Sequence, residues 1–330
     1  MNKLHSGFTV FLSLLVEAIP FLLLGVLLSG LLLFFVDERK LAAFIPKNPL
    51  LGALAGSLIG FLFPVCECGN VPVARRLLMQ GLPSSVAVGF LLAAPTINPI
   101  VIWSTWTAFR DQPEIVVLRV LFSLAIATIV AWVFSFQADL RPLLQPSMVR
   151  SMPERYSAVS APSPLLQSGT FILDRPGKPL GVNDLQMSTG VKSKPLSERL
   201  RLFLDNTIQE TRELGGMLAI GSAIAACLQV AVPREVILSI GNSPVTSILA
   251  MMILAALVSI CSTVDAFFAL SFASAFTCGS LLAFLVFGPM IDLKSIGLML
   301  SIFKQRAIFY LFALAAQLTF VFALIYQMLY

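Results

Sequence analysis

The sequence is poor in the residues on which most soluble proteins and most enzymes depend. Of its 330 residues only 12% are Asp, Glu, Lys or Arg, about half the ~25% of a soluble domain. It has a single histidine, His5. That excludes a histidine metal cluster and leaves no well-placed imidazole for general base work. Neither a GxxxxGKS/T loop nor an HExxH helix occurs, so the usual motifs for nucleotide hydrolysis and zinc proteolysis are missing. Strand-length alternation of apolar and polar residues is also absent, which excludes an outer-membrane barrel. No catalytic residue, resident metal or cofactor is expected, and the chain reads as a non-enzyme.

What it has in abundance is apolar sequence. Hydrophobic residues make up 58% and phenylalanine alone supplies 26; the mean hydropathy is +0.91. Apolar runs near the ~20 residues needed to cross a bilayer recur throughout. They fall at about 8–36, 49–64, 67–80, 83–109 and 115–137, then 206–232, 244–262, 264–278, 280–302 and 307–329. The expected class is all-α: a polytopic, multi-pass protein of the cell inner (plasma) membrane, with the lipid bilayer as its surroundings. The first run is too long for a signal-peptide core, so it reads as a retained helix. The net charge of +5 reads as topology rather than as nucleic-acid binding. Five cysteines, an odd number in apolar segments, read as free thiols rather than a disulfide framework.

The runs divide into a first membrane repeat (1–138), a polar, flexible linker on the cytoplasmic side (139–201) and a second membrane repeat (202–330). The repeats match position by position. Glu17 and Gly25 correspond to Glu213 and Gly221, Pro49 to Pro244, Cys66 to Cys261 and Asn70 to Asp265. Pro95 and Asn98 correspond to Pro289 and Asp292, and the offset stays between 194 and 196. Five crossings per repeat is odd, so the copies would be inverted, with short broken helices meeting at the midplane. That arrangement keeps Arg39, Lys40, Lys47, Arg75, Arg76, Lys304 and Arg306 on the inner side, as the positive-inside rule asks. An alternative treats 67–80 and 264–278 as re-entrant, giving four crossings per repeat, parallel copies and an inner N-terminus.

The stretch Phe63-Pro-Val-Cys66-Glu67-Cys68-Gly69-Asn70-Val-Pro72 is too polar for a membrane without a reason. Pro64 should end one helix, and Asn70, like Asp265 in the second repeat, should cap the next. Breaks are also expected at Asn98 and Asp292, flanked by prolines. Irregular backbone at membrane depth is tolerated only where it lines a cavity or is buried in protein. Cys66 and Cys68 could form a soft ligand pair for a thiophile such as trivalent arsenic or a metal ion, with Cys261 opposite. Small buried hydrophobes are the competing reading for these thiols. Glu67, Asp265 and Asp292 are ionisable groups where charge is costly, and so functional by default. Asp292 could instead pair with Lys294 near an interface. Arg75-Arg76 reads as a mark of the inner surface, able to attract anionic lipid head groups. The substrate-binding set is therefore Cys66, Glu67, Cys68, Asn70, Asn98, Cys261, Asp265 and Asp292. Two other classes remain open: a membrane thiol oxidoreductase using Cys66 and Cys68, and a membrane anchor subunit of a two-part complex.

At PVCECGNVPVARRLLMQGLPSSVAVGFLLAAPTINPI and again at ICSTVDAFFALSFASAFTCGSLLAFLVFGPMIDLK the chain resembles the ArsP/YraQ-like family of predicted permeases. The resemblance implies a permease, and similar members include efflux permeases for trivalent organoarsenicals. It casts Cys66 and Cys68 as candidate arsenic-binding thiols. The usual family motif is CSC; CECGN here looks like the subtype that accompanies a companion subunit with an extracytoplasmic domain.

Overall fold

The computed structural model describes residues 3–35, 46, 48–63, 66–137, 141–151, 196–231, 243–273 and 276–329. Pro64 and the basic residues Arg39, Lys40 and Lys47 lie outside them. The described residues are helical almost throughout. The first half holds α1 (Lys3–Phe35), α2 (Pro49–Leu62), α3 (Glu67–Met79), α4 (Ser84–Ile97), α5 (Pro99–Ala108) and α6 (Pro113–Ser135). A single 3-10 turn (Arg141–Leu143) and α7 (Pro146–Ser151) follow. The second half holds α8 (Leu196–Ala231), α9 (Pro244–Val258), α10 (Asp265–Leu270), α11 (Cys278–Met290), α12 (Leu293–Met299) and α13 (Gln305–Leu329).

Among the described residues, six helical stretches are long and apolar enough to cross a membrane: His5–Leu31, Ser84–Ala108, Pro113–Ser135, Phe203–Ala231, Cys278–Met299 and Gln305–Leu329. The chain is an all-α, multi-pass membrane protein. The second and third segments of each half, read from sequence as separate crossings, do something else. In α2, Gly52 faces Ser85, Gly56 faces the Val86 backbone, and Gly60 faces Ala93 and Ala94. The contacts climb both helices together, so α2 and α4 run parallel. α3 must then return the chain to the end where α2 began, and Gly81 (φ 75°) closes that return. α2 and α3 thus form a hairpin. Two causes act together. Glycine every fourth residue lets the backbones touch, and 14 residues at 1.5 Å each reach only about 20 Å, short of a ~30 Å core. The second half repeats the device: Ala255 meets Gly288 and Ser259 meets Leu293, so α9 runs parallel to the α11–α12 stretch.

Corresponding long helices run in opposite directions. Gly7 of α1 lies beside Val230 of α8, while Gly30 lies beside Phe203. Gln112, which precedes α6, touches Cys278 at the start of α11, whose Gly279 faces Gln327 at the end of α13. At the other end Leu144, beyond α6, bridges to Phe303, just before α13.

The N-terminal part of the linker is docked. Gln145 N donates to Ile302 O at 2.9 Å and Lys304 N to Leu143 O at 2.8 Å; Leu144 and Met148 are fully buried. Residues 152–195, the bulk of the linker read as flexible, lie outside the described residues. The Arg75-Arg76 pair has partners within the fold. Arg76 is buried, and Arg75 Nη1 lies 3.1 Å from Glu213 Oε2 on α8. A neighbouring carboxylate in the same fold is a better partner for guanidinium than head groups at a distance.

Candidate binding site between the hairpin tips

Each hairpin turns at a cysteine. Cys66 stands in extended backbone (φ −82°, ψ −179°) at the start of α3, and its carbonyl accepts from Gly69 N (3.0 Å) and Asn70 N (3.1 Å). The Cys261 carbonyl accepts from Val264 N (2.9 Å) and Asp265 N (3.1 Å). The two tips therefore share one hydrogen-bond pattern at corresponding residues. They meet inside the protein: the thiols of Cys66 and Cys261 and a carboxylate oxygen of Glu67 all lie within 4.8 Å of one another, all buried. Soft sulfur with one carboxylate is a ligand set for a soft or borderline centre. The Cys66 thiol thus meets Cys261 of the other half as well as Cys68, its expected partner. Cys68, the second residue of α3, is buried too, though it does not belong to the group of three that lie within 4.8 Å.

Charge around the tips is paired across the halves. Glu67 Oε1 lies 3.5 Å from Lys294 Nζ of α12, both nearly inaccessible. Glu67 Oε2 has no hydrogen-bond partner among the described residues. Asp265, the first residue of α10, is gripped by Arg119 of α6: Nη2 to Oδ2 at 2.6 Å and Nη1 to Oδ1 at 3.1 Å. The same Nη1 reaches Thr105 Oγ1 of α5 at 2.7 Å. Bidentate guanidinium–carboxylate geometry is what makes such a buried pair tolerable.

Asn70 and Asp265 do not cap their helices, as expected from sequence; Cys66 and Val264 hold those positions. Asn70 instead donates from Nδ2 to Leu91 O at 2.6 Å. That carbonyl lacks its helical donor because the residue four along is Pro95. Asn70 Oδ1 is left without a partner among the described residues. The expected breaks at Asn98 and Asp292 are present, and both residues act as caps. Asn98 Oδ1 accepts from Val101 N (2.9 Å) and its Nδ2 donates to Ala94 O (3.0 Å). Asp292 Oδ1 accepts from Ser295 N at 2.6 Å in a capping box, while its Oδ2 has no hydrogen-bond partner among the described residues. In the alternative reading Asp292 pairs with Lys294; the ion-pair contact of Lys294 is instead with Glu67, with Asp292 near enough to act on it electrostatically.

Arg119 escaped the sequence reading. Its signal was an arginine inside an apolar spanning run, which by itself marks a functional candidate.

A family model described as a predicted permease, ArsP, matches residues 3–328. The chain belongs to the ArsP family of predicted permeases. Two curated proteins resemble this ArsP-family chain over nearly its whole length. One, from Bacillus subtilis, is called UPF0718 protein YcgR and is 40% identical over 303 residues, 92% of this chain and 90% of that protein. The other, from Streptococcus mutans, is called a putative two-component membrane permease complex subunit. It is 33% identical over 299 residues, covering 91% and 87%. No solved structure matches the chain. As an ArsP-family member it is a membrane permease, and the tips are the polar centre of its fold.

Proposed function

We propose that this ArsP-family chain is a secondary efflux permease of the plasma membrane. Its substrate is thiophilic, a trivalent arsenical or a soft metal ion, carried between the tips of two inverted repeats. One observation carries the reading: thiols from both hairpins and the Glu67 carboxylate converge within 4.8 Å. The opposed directions of α1 against α8 and α6 against α13 support inverted repeats. So does the shared turn at Cys66 and Cys261. A binding site at the junction of inverted repeats, made of broken helices, is the arrangement of many secondary transporters. Rocking one repeat against the other would open the tips first to one face and then to the other.

Uptake of phenylarsenite or Cd²⁺ into vesicles holding the purified chain tests this. Cys66→Ser together with Cys261→Ser should abolish transport with unchanged protein levels. Transport by the Cys66/Cys261 double variant at the wild-type rate would refute the thiol site.

The name of the streptococcal relative favours a companion subunit as well. Against a thiol oxidoreductase built on Cys66 and Cys68 stands their CxC spacing, which is not the CxxC of thiol–disulfide enzymes.

A further inference from the structure

Lys294 sits in the first turn of α12, in the second half of the chain, and is only 1% exposed. A buried ammonium is costly unless a partner compensates it. The Asp292 carboxylate lies close enough to act on it, and the direct ion-pair partner of Lys294 is Glu67 of the first half, at 3.5 Å. That is longer than the ~2.7–2.9 Å of a firm charge-assisted hydrogen bond. The contact joins one oxygen only; Glu67 Oε2 stays bare among the described residues. The same carboxylate lies within 4.8 Å of the Cys66 and Cys261 thiols. The protein has therefore set a cation of its own, loosely held, against the one hard ligand of a thiol site.

We infer that Lys294 is a tethered counter-cation that occupies Glu67 when the site is empty and yields it to the cargo, and that the cargo is a soft or borderline divalent cation. This rests on the thiol site proposed above. A neutral thiophile would engage the two thiols and leave Glu67 with Lys294. A metal ion that prefers sulfur yet accepts oxygen uses all three ligands. It must first displace the ammonium. As the cargo leaves, Lys294 returns to Glu67, so a carboxylate is never stranded in the protein interior. The lysine thereby weakens binding and speeds release.

The test uses the full-length chain in detergent and in vesicles, with Cd²⁺ and phenylarsine oxide as probes. Cadmium binding is followed by its thiolate charge-transfer absorption and counted by elemental analysis. Lys294→Met should bind Cd²⁺ roughly tenfold more tightly and transport it with lower KM and lower kcat. Its binding of phenylarsine oxide, which needs only thiols, should not change. Lys294→Arg keeps the charge and should return Cd²⁺ affinity towards wild type, which also guards against misreading a folding defect. Unchanged or weaker Cd²⁺ binding by Lys294→Met would overturn the inference. So would an equal shift for both probes, or an arginine variant that behaves like methionine. Cd²⁺ and phenylarsine oxide binding that both survive Cys66→Ser with Cys261→Ser would instead overturn the thiol site itself.

Discussion

Asp265 and Arg119 show how a residue can be visible in sequence while its role is not. An aspartate at membrane depth was plain to see, and capping and ligand binding were both reasonable roles. The structure gives it a third, as one end of a buried bidentate pair that ties α10 to α6. Arg119 stands 146 residues away in the chain, and no local pattern links the two. Breaking such a pair from one side leaves an uncompensated charge and costs about 3–5 kcal/mol, whereas replacing both partners is often close to neutral. Asp265→Asn or Arg119→Met alone should therefore lower thermal stability in detergent sharply. The double variant should recover most of the loss, and a double-mutant cycle would measure the coupling. Asn70 is a milder case. Asn70→Ala leaves the Leu91 carbonyl bare beside Pro95 and should cost about 1–3 kcal/mol. Pro95→Ala, which restores a helical donor to that carbonyl, should reduce that cost in the same unfolding assay.

At the scale of elements, helix boundaries follow local chemistry closely. Pro49, Pro99, Pro113 and Pro244 each open a helix, where a missing N–H and a fixed φ are harmless. What local chemistry leaves open is the depth to which each helix runs. α2 and α3 read as two crossings because both are apolar, yet their packing makes them a hairpin. The glycines hold that packing in place. A side chain at Gly56 would overlap the Val86 backbone, which cannot move aside. Gly56→Leu should abolish the monodisperse peak in size-exclusion chromatography. Gly215→Ala should leave it intact, since nothing lies within 4 Å of the added carbon, and a better helix former there should add up to about 1 kcal/mol.

For the whole molecule the hairpins decide what each face of the membrane can reach. The mouth of the first hairpin, near Asn48 and Pro83, opens at the end of the fold where Gln145 docks on Ile302. Ser243 precedes α9, which enters from the opposite end, the one where Gln112 touches Cys278. Single cysteines at Pro83 and Gln145 should react with an impermeant maleimide from the inner side, and those at Asp111 and Ser243 from the outer side. Phe63→Cys, next to the first tip, separates the hairpin from a full crossing. Five crossings per half would bring it to the outer surface, whereas the hairpin keeps it in the interior. Ready labelling of Phe63→Cys from outside would refute the hairpin.

Composition and the spacing of apolar runs determined the class, the positions of almost every helix and the two breaks at Asn98 and Asp292. These depend on short-range physics: transfer of apolar side chains into lipid, and the backbone limits of proline. The doubled motif also marked Cys66, Glu67 and Cys261 as places to look. Only the tertiary structure decided that Cys66 meets Cys261 and that Lys294 faces Glu67. It likewise decided that Arg119 holds Asp265 and that two pairs of segments turn back as hairpins. Each of these joins residues far apart in the chain, through close approach of glycine-lined helices or through pairing of charges that cannot be buried alone. Such partners are chosen by packing in space, and periodicity along one helix carries no record of them.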